Sequence, residues 1–297
     1  MDWPLVKGRM ERDYPLKNLC TFKIGGPGEV VFWPQGQEDL VQIIEWCRAY
    51  SKPFVLLGRG SNVLLPDEGL KGVIIVCTEL KKISWQENKV RVEAGYPLMR
   101  LARESAKRGL QGLEFAAGIP GTGGGALAIN AGAYGGEIGS VVEEVKVLTP
   151  EGKRITLSGD KITFGYRYSS LQTYYILEAT LELQVHDSSI LLERIKEYNL
   201  KRRNTQPLEF PNAGSVFRNP SGDSAARLIE AAGWKGQRVG GAQVSEKHAN
   251  FIVNRGNAKA AEVLKLIKNI QEDVLAKFGV ELQTEIKLYK GNKEEGT

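Results

Sequence analysis

The feature that most constrains the fold is a glycine-rich stretch, Glu114–Gly136, which reads LEFAAGIPGTGGGALAINAGAYGG from Leu113. It contains eight glycines, and no charged residue lies between Glu114 and Glu137. Glycine inside a helix or strand costs roughly 0.5–1 kcal/mol relative to alanine, which disfavours both elements here. A solvated linker would be polar and rich in serine, whereas this stretch is interspersed with apolar residues. We therefore predict a buried loop whose main chain closely approaches a ligand.

The length and composition indicate a soluble globular protein. At 297 residues the chain is long enough for two domains or three small ones. Hydrophobic residues make up 42% and charged residues 25% of the chain, which is an ordinary balance. Because no apolar run is long enough to span a bilayer and the N-terminus lacks the apolar core of a signal peptide, we expect a cytoplasmic protein without membrane attachment.

The cysteine, histidine and charge content excludes several classes of site. Cys20, Cys47 and Cys77 are scattered and show no CxxC spacing, so we expect neither a disulfide framework nor a zinc site. Only His186 and His248 are present, which argues against a multi-histidine metal centre and a Ser-His-Asp hydrolase. The net charge of +5 suits a small anionic ligand but is not typical of a nucleic-acid-binding surface.

The first half of the chain is predicted to mix strands and helices. Expected strands are 29–33, 54–57, 62–65, 72–76 and 90–94, and expected helices are 38–50 and Pro97 to about 109. The segment 29–57 would form a right-handed strand–helix–strand crossover. GRGSN (58–62) follows the second strand and is either a plain tight turn or a turn whose N–H groups face a phosphate. Because no P-loop and no helix-opening GxGxxG is present, a Rossmann-type site is excluded.

The second half continues the same alternation. A hairpin is predicted for 142–148 and 154–157 around Glu151-Gly152, followed by strand 175–184 and helix 189–201. Helices 224–232 and 257–278 and strands 250–253 and 281–288 complete the chain, with Asn257 and Gly279 as caps of the long helix. We interpret the charge run 201–203 as a solvated helix end, with contact to an anionic ligand as the minority alternative. The terminal GNKEEGT is expected to be disordered.

Six motifs occur in a fixed order: TFKIGG (21–26), GRGSN (58–62), GIPGTGGGALAINAGAYG (118–135), GYRYS (165–169), NAGSVFRNP (212–220) and TEIKL (284–288). Together they resemble the MurB family of UDP-N-acetylenolpyruvoylglucosamine reductases over nearly the whole chain. The resemblance implies an α+β fold. A two-part FAD-binding domain of the PCMH/vanillyl-alcohol-oxidase type would occupy 1–78 and 79–205, and a UDP-sugar substrate domain 206–297.

The resemblance also implies an activity. An enzyme of this family reduces UDP-N-acetylglucosamine enolpyruvate to UDP-N-acetylmuramate during peptidoglycan precursor synthesis, with FAD and NADPH as cofactors. A monomer is expected. The short span between Tyr168 and Tyr175 resembles the shorter, type II subtype, which lacks the inserted loop that covers the substrate in the longer one.

Specific residues carry the implied chemistry. Arg167 would bind the substrate carboxylate through its planar fork, Ser215 would protonate carbon, and Glu285 would share a proton with the developing enediolate. Asn219 would join Arg167 in holding the substrate. The implied cofactor-binding residues are Gly58, Arg59, Gly60, Ser61, Asn62, Gly118, Ile119, Pro120, Gly121, Thr122, Asn130, Ala131 and Gly132. Tyr134 is either a core aromatic or a residue that stacks on a ring.

Two alternatives remain open at this point. A flavin oxidase of the same superfamily would often tether FAD through histidine or cysteine, but no histidine precedes His186 and the cysteines lie outside the glycine loops. A non-enzymatic flavin-binding module would hold a flavin that NADPH does not reduce.

Overall fold

The computed structural model describes residues 3–291. The helices are α1 (Gln37–Ala49), α2 (Leu98–Lys107), α3 (Gly123–Ala128), α4 (Ser188–Thr205), α5 (Ala225–Ala231) and α6 (Ala260–Phe278). The strands of the first half are β1 (Arg9–Pro15), β2 (Pro27–Trp33), β3 (Phe54–Leu57), β4 (Val63–Leu64), β5 (Leu70–Val76), β6 (Ile83–Gln86), β7 (Lys89–Glu93), β8 (Leu110–Gln111), β9 (Gly132–Ala133) and β10 (Gly136–Glu137). The remaining strands are β11 (Val142–Leu148), β12 (Arg154–Ser158), β13 (Phe164–Gly165), β14 (Tyr168–Ser169), β15 (Tyr175–Glu182), β16 (Gln184–Val185), β17 (Arg238–Val239), β18 (Ala242–Val244), β19 (Ile252–Asn254) and β20 (Lys287–Leu288). This content is the predicted α+β class.

The chain forms two compact units, and each is assembled from separated segments. The first contains Met1–Glu11, Val31–Arg59 and Val73–Arg202, and the second contains Arg12–Val30, Gly60–Gly72 and Arg203–Thr297. The contiguous three-part division therefore stays a prediction, because these units follow contacts rather than chain order.

The first unit is built on a five-stranded sheet in the order β12-β11-β15-β7-β6, with every neighbouring pair antiparallel. The hairpin β11–β12 confirms the sequence prediction around Glu151-Gly152. Buried side chains of the sheet, of α2 and of the glycine-rich stretch share one hydrophobic core, which includes Val92, Leu101, Phe115, Leu127 and Val145. The glycine-rich stretch is thus buried as predicted, because its own apolar residues belong to this core.

The second unit pairs a small sheet with the longest helix. Strands β17, β18 and β19 form an antiparallel sheet in that order, and α6 packs against β17 and β18. A separate parallel pair joins β4 to β20. The buried side chains of α6 (Val263, Leu266, Ile267, Ile270 and Val274) recur every three or four residues, which is the spacing that places them on one helical face.

The start of α6 differs from the prediction. The helix begins at Ala260 rather than 257, and its cap residue is Lys259, whose N–H donates to Glu262 Oε2 at 3.0 Å. Asp67 accepts hydrogen bonds from the N–H groups of Ala260 (2.8 Å) and Ala261 (3.1 Å). A carboxylate from a distant loop therefore replaces the predicted cap Asn257, while Gly279 ends the helix in the left-handed conformation as expected.

Three other predictions need correction. The glycine-rich stretch is not all loop, because Gly123–Ala128 forms α3. The helix expected to end at 201 continues to Thr205, so the charge run lies inside α4. The last strand is limited to Lys287–Leu288, and before it only Thr284 forms a β-bridge, with Phe217. The expected disorder of 292–297 lies outside the described residues.

Candidate active site

The glycine-rich stretch folds into a 3-10 turn, a short helix and a hairpin. The turn covers Glu114–Gly118, and α3 follows with Thr122 as its cap, because Thr122 Oγ1 accepts the N–H of Gly125 at 3.3 Å. Strands β9 and β10 then pair antiparallel around Tyr134 and Gly135. The predicted cofactor-binding residues 118–122 and 130–132 therefore lie on either side of α3.

Some glycines in this region are required by the packing of the chain itself. A Cβ atom added to Gly124 would lie 2.7 Å from Ala94 Cβ, and one added to Gly58 would lie 2.5 Å from Thr122 Oγ1. Real Cβ contacts are longer, so a side chain at either position would force the backbone apart. The close approach of Gly58 to Thr122 also brings together two segments that were predicted separately to bind the cofactor.

Other glycines have no such requirement. A Cβ on Gly123 would meet nothing nearer than Glu93 O at 3.8 Å, and one on Gly125 nothing nearer than Thr122 Oγ1 at 3.4 Å. Alanine would be favoured over glycine inside a helix by about 0.5–1 kcal/mol. At these two positions the lack of a side chain is therefore unexplained by internal packing. Gly123 is itself buried, whereas the exposed main chain of Gly125 fits a ligand that lies against the start of α3.

Asn130 connects the cofactor segment to the hairpin that carries Arg167. Its buried side chain donates to Gly165 O at 3.0 Å through Nδ2 and accepts the N–H of Gly139 at 3.0 Å through Oδ1. Because the side chain is buried and each polar end of the amide makes a hydrogen bond within the chain, Asn130 joins these two segments, and its contact with the cofactor stays a prediction.

Arg167 lies at the tip of a tight hairpin. Strands β13 and β14 pair Gly165 with Tyr168, so Tyr166 and Arg167 form the connecting turn. Arg167 has a φ of 54°, in the left-handed region that non-glycine residues seldom occupy, and its guanidinium carbon lies 5.3 Å from the centroid of the Tyr166 ring. Strained backbone of this kind often occurs at functional sites, which is consistent with the predicted role of Arg167.

The second unit holds the other two predicted catalytic residues on adjacent segments. The N–H of Glu285 donates to Val216 O at 2.8 Å, and the N–H of Arg218 donates to Gln283 O at 2.9 Å. Ser215, next to Val216, is half-buried, as is Glu285. The pairing therefore brings two residues that are 70 positions apart in the sequence onto neighbouring segments that are joined by backbone hydrogen bonds.

The segment 60–62 joins this arrangement. Asn62 Nδ2 donates to Glu285 O at 3.2 Å, and the N–H of Lys287 donates to Asn62 O at 3.0 Å. Gly60 begins this segment. It has a φ of 58°, and a Cβ atom added to it would collide with Leu19 O. Asn62, predicted to bind cofactor, thus lies beside Glu285, predicted to be catalytic.

Asn219 lies just before α5. It is exposed, and its Oδ1 accepts the N–H of Ala225 at 3.1 Å, which satisfies the first turn of α5. Arg218, the preceding residue, has a buried Nε with no hydrogen-bond partner among the described residues. Substrate contact by Asn219 stays a prediction.

Helix α4 contributes residues that sequence reasoning missed. Tyr198 stacks on Tyr134 with ring centroids 4.5 Å apart, and Tyr134 Oη donates to Tyr198 O at 3.1 Å. Tyr134 is 41% exposed, so it is a stacking residue rather than a core aromatic. Arg202, expected on a solvated helix end, is instead half-buried against Gly118. Helical periodicity through residue 205 could have indicated that the helix, and the face that carries Tyr198 and Arg202, continues beyond residue 201.

Between residues 3 and 291, no group of three His, Cys, Asp or Glu side chains is arranged to hold a metal ion. None of the helices in that range is sufficiently long and apolar to cross a bilayer. The three cysteines are free and buried, and burial raises the pKa of Cys47 to about 11 and of Cys77 to about 12.

Comparison with known proteins shows the class of protein, which is that of FAD-binding proteins. Residues 28–158 match the model of an FAD binding domain, and residues 206–289 match the C-terminal domain of UDP-N-acetylenolpyruvoylglucosamine reductase. The chain belongs to the UDP-N-acetylenolpyruvoylglucosamine reductase (MurB) family, as its motifs predicted, and the prediction of FAD as cofactor is confirmed.

Relatives cover nearly the whole chain. A reductase of this name from Clostridium tetani is 44% identical over 273 residues, which are 91% of this chain and 89% of that protein. One from Caldanaerobacter subterraneus is 42% identical over 286 residues, covering 96% and 95% of the two chains. The crystal structure of the MurB reductase from Thermus caldophilus superposes with a TM-score of 0.82 at 35% identity, covering 95% of this chain and all of that one.

Proposed function

We propose that this protein is an NADPH-dependent flavoenzyme that reduces UDP-N-acetylglucosamine enolpyruvate to UDP-N-acetylmuramate. The observation that carries the proposal is the pairing of the Ser215 and Glu285 segments inside the module that matches the reductase C-terminal domain. A shorter, type II subtype, a cytoplasmic location, a role in cell-wall precursor synthesis and a monomeric state are part of the same proposal.

FAD, when bound, carries a hydride from NADPH to the terminal carbon of the enolpyruvyl group. As negative charge develops on the neighbouring carbon and its carboxylate, the chain must stabilise that charge and supply a proton. Arg167 pairs with the carboxylate through two parallel N–H donors. A fixed donor of this kind typically contributes about 10²–10³-fold to the rate.

Ser215 donates the proton to the carbon that bears the carboxylate, and Glu285 stabilises the charge by sharing a proton with it. Ser215 follows Gly214, which has a φ of 81° and whose N–H donates to Asn212 Oδ1 at 2.9 Å. This turn fixes the position of the Ser215 backbone. Thr21 Oγ1 stabilises the turn by donating to Asn212 O at 2.7 Å. A serine hydroxyl held in one place supports proton delivery to one face of a planar carbon.

The absorbance of the purified protein tests the proposal. We expect a flavin band that NADPH bleaches under anaerobic conditions and that the enolpyruvyl UDP-sugar restores with formation of the lactyl ether. A flavin that stays attached after acid precipitation would favour a tethered-flavin oxidase. A bound flavin that NADPH leaves oxidised would favour a non-enzymatic binding module, and either result would refute the proposed function.

A further inference from the structure

One face of α4 lies along the glycine-rich stretch. Leu191 and Ile195 are buried in the shared core, and Arg194 Nη1 lies 3.6 Å from Glu114 Oε1. One turn further on, Tyr198 stacks on Tyr134. Because these residues recur at intervals of three or four, the helix presents a continuous face to the segment that is expected to hold FAD.

Arg202 occupies the next position on that face. A Cβ atom added to Gly118 would lie 2.9 Å from Arg202 Cδ and 3.0 Å from Asn199 Oδ1. The stem of Arg202 therefore packs directly on the main chain of Gly118, and this packing accounts for the absence of a side chain at that position. The charged end of Arg202 is thereby held beside the predicted cofactor segment 118–122.

The guanidinium of Arg202 lacks a counter-charge within the protein. Throughout the described part of the chain, no hydrogen bond or ion pair joins it to another residue, and burial lowers its pKa below the ordinary value for arginine. The carboxylate of Glu114 faces a different arginine of α4: Oε2 accepts the N–H of Gly112 at 2.9 Å, and Oε1, which has no hydrogen-bond partner among the described residues, lies 3.6 Å from Arg194 Nη1. A partly desolvated cation without a partner is unfavourable unless a ligand supplies the anion.

We propose that Arg202 binds a negatively charged group of the FAD cofactor at Gly118. The shared chemistry is an anionic oxygen, which FAD offers either in its pyrophosphate or at the N1–C2 carbonyl edge of the reduced ring. The fork of Arg202 suits both, since it presents parallel N–H donors to paired acceptors. The stacked pair Tyr134–Tyr198 positions α4 so that the guanidinium stays at this point. This assignment rests on the flavoenzyme function proposed above.

The test compares Arg202→Met with Lys196→Met in the full-length protein. Methionine keeps an unbranched stem against Gly118, and Lys196 is a matched control because it is an exposed cation on the same helix that pairs only with Glu193 at the surface. After removal of flavin, we expect Arg202→Met to bind FAD about 10- to 100-fold more weakly than wild type, as for loss of a hydrogen-bonded charge pair. Lys196→Met should bind within about twofold of wild type.

The midpoint potential separates the two sources of charge. If Arg202 pairs with the pyrophosphate, Arg202→Met weakens the binding of oxidised and reduced FAD equally, and the midpoint potential stays constant. If Arg202 pairs with the reduced ring, the substitution weakens the binding of reduced FAD more than that of oxidised FAD, and the midpoint potential falls. Wild-type affinity together with wild-type potential in Arg202→Met would overturn the proposal, as would a change confined to the KM for NADPH or for the UDP-sugar.

Arg202→Lys covers the case in which the methionine variant does not fold. Lysine keeps the charge but loses the fork, so FAD should bind about 3- to 10-fold more weakly, and equality with wild type would contradict the assignment. Failure of the wild-type protein itself to bind FAD would instead refute the proposed function, so the two failures are distinguishable.

Discussion

The glycine-rich stretch and the paired segments around Ser215 and Glu285 contribute to function in different ways. In the first, Gly125 leaves main chain exposed although the chain has room for a side chain. In the second, backbone pairing between 216–218 and 283–285 fixes two half-buried polar side chains. A ligand bound by main chain is displaced when a side chain is added, whereas a ligand bound by side chains is lost when a functional group is removed. We therefore expect function to be lost on adding atoms in the first region and on removing groups in the second.

The largest effect is expected for Ser215→Ala. Reduction of the flavin by NADPH should stay nearly intact, while reduction of the enolpyruvyl substrate should slow by about 10²–10⁴-fold, the range for loss of general acid catalysis. Stopped-flow measurement of the two half-reactions checks this, with the exposed Ser221→Ala as control. Equal losses in both half-reactions would remove Ser215 from proton transfer.

Glu285→Gln should show a smaller effect of the same kind. The amide keeps the shape but cannot share a proton, so we expect substrate reduction to slow by about 10²–10³-fold with flavin reduction preserved. Glu281→Gln, an exposed change on the same segment, is the control. Wild-type turnover in Glu285→Gln would exclude this residue from the mechanism.

Gly124→Ala and Gly125→Ala compare two adjacent glycines of the stretch. At 124 the new methyl group would meet Ala94, so stability should fall by about 1–3 kcal/mol, the usual cost of overpacking. At the exposed position 125 the methyl group has room, so the thermal unfolding of the flavin-free protein should be unchanged or slightly raised while FAD binds more weakly. Calorimetry and FAD titration distinguish these outcomes. Unaltered FAD affinity in Gly125→Ala would contradict close approach of the ligand there.

Gly124→Val is expected to lose FAD for the same packing reason. A side chain at this position meets Ala94, which belongs to the protein itself. The loss should therefore accompany a lowered unfolding temperature in the flavin-free protein.

Asn130→Ala should destabilise the fold by about 1–3 kcal/mol, because it leaves the partly buried N–H of Gly139 and the carbonyl of Gly165 without this partner. Asn257→Ala is a matched control, since Asn257 is exposed and has a similar φ, 54° against 47° for Asn130. Denaturant titration of both variants separates lost hydrogen bonds from backbone strain. Equal losses would mean that strain alone accounts for the effect.

The smallest effect concerns His248 and pH. Burial lowers the pKa of His248 below 6.5, and its Nδ1 accepts the N–H of Asn250 at 3.3 Å, which requires that nitrogen to be unprotonated. Because the unfolded chain binds the proton more readily, this contribution to stability is fully present above the unfolded pKa and is lost as pH falls through and below it. His248→Gln should flatten the pH dependence of the unfolding free energy in that window. An identical pH profile would contradict the assignment.

Local sequence patterns predicted most helices and strands, but not which distant segments each of them contacts. The apolar spacing of 257–278 and the turn residues Glu151-Gly152 gave α6 and the β11–β12 hairpin nearly as observed. The helix cap at Asp67 and the extension of α4 through Arg202 were missed. Caps supplied by distant loops and charged residues held against a neighbouring segment leave no local pattern, because they depend on which surfaces meet.

The sequence by itself determined the family, the α+β class, the flavin cofactor and the buried character of the glycine-rich stretch, because these follow from motif order, periodicity and composition. Only the tertiary structure decided that Gly124 is needed for packing against Ala94 while Gly125 is not, and that Glu285 lies beside Asn62 and next to the segment that carries Ser215. The physical reason is that a glycine or a polar side chain has the same local preference in either setting, and its role depends on the atoms that the fold places within a few ångströms of it.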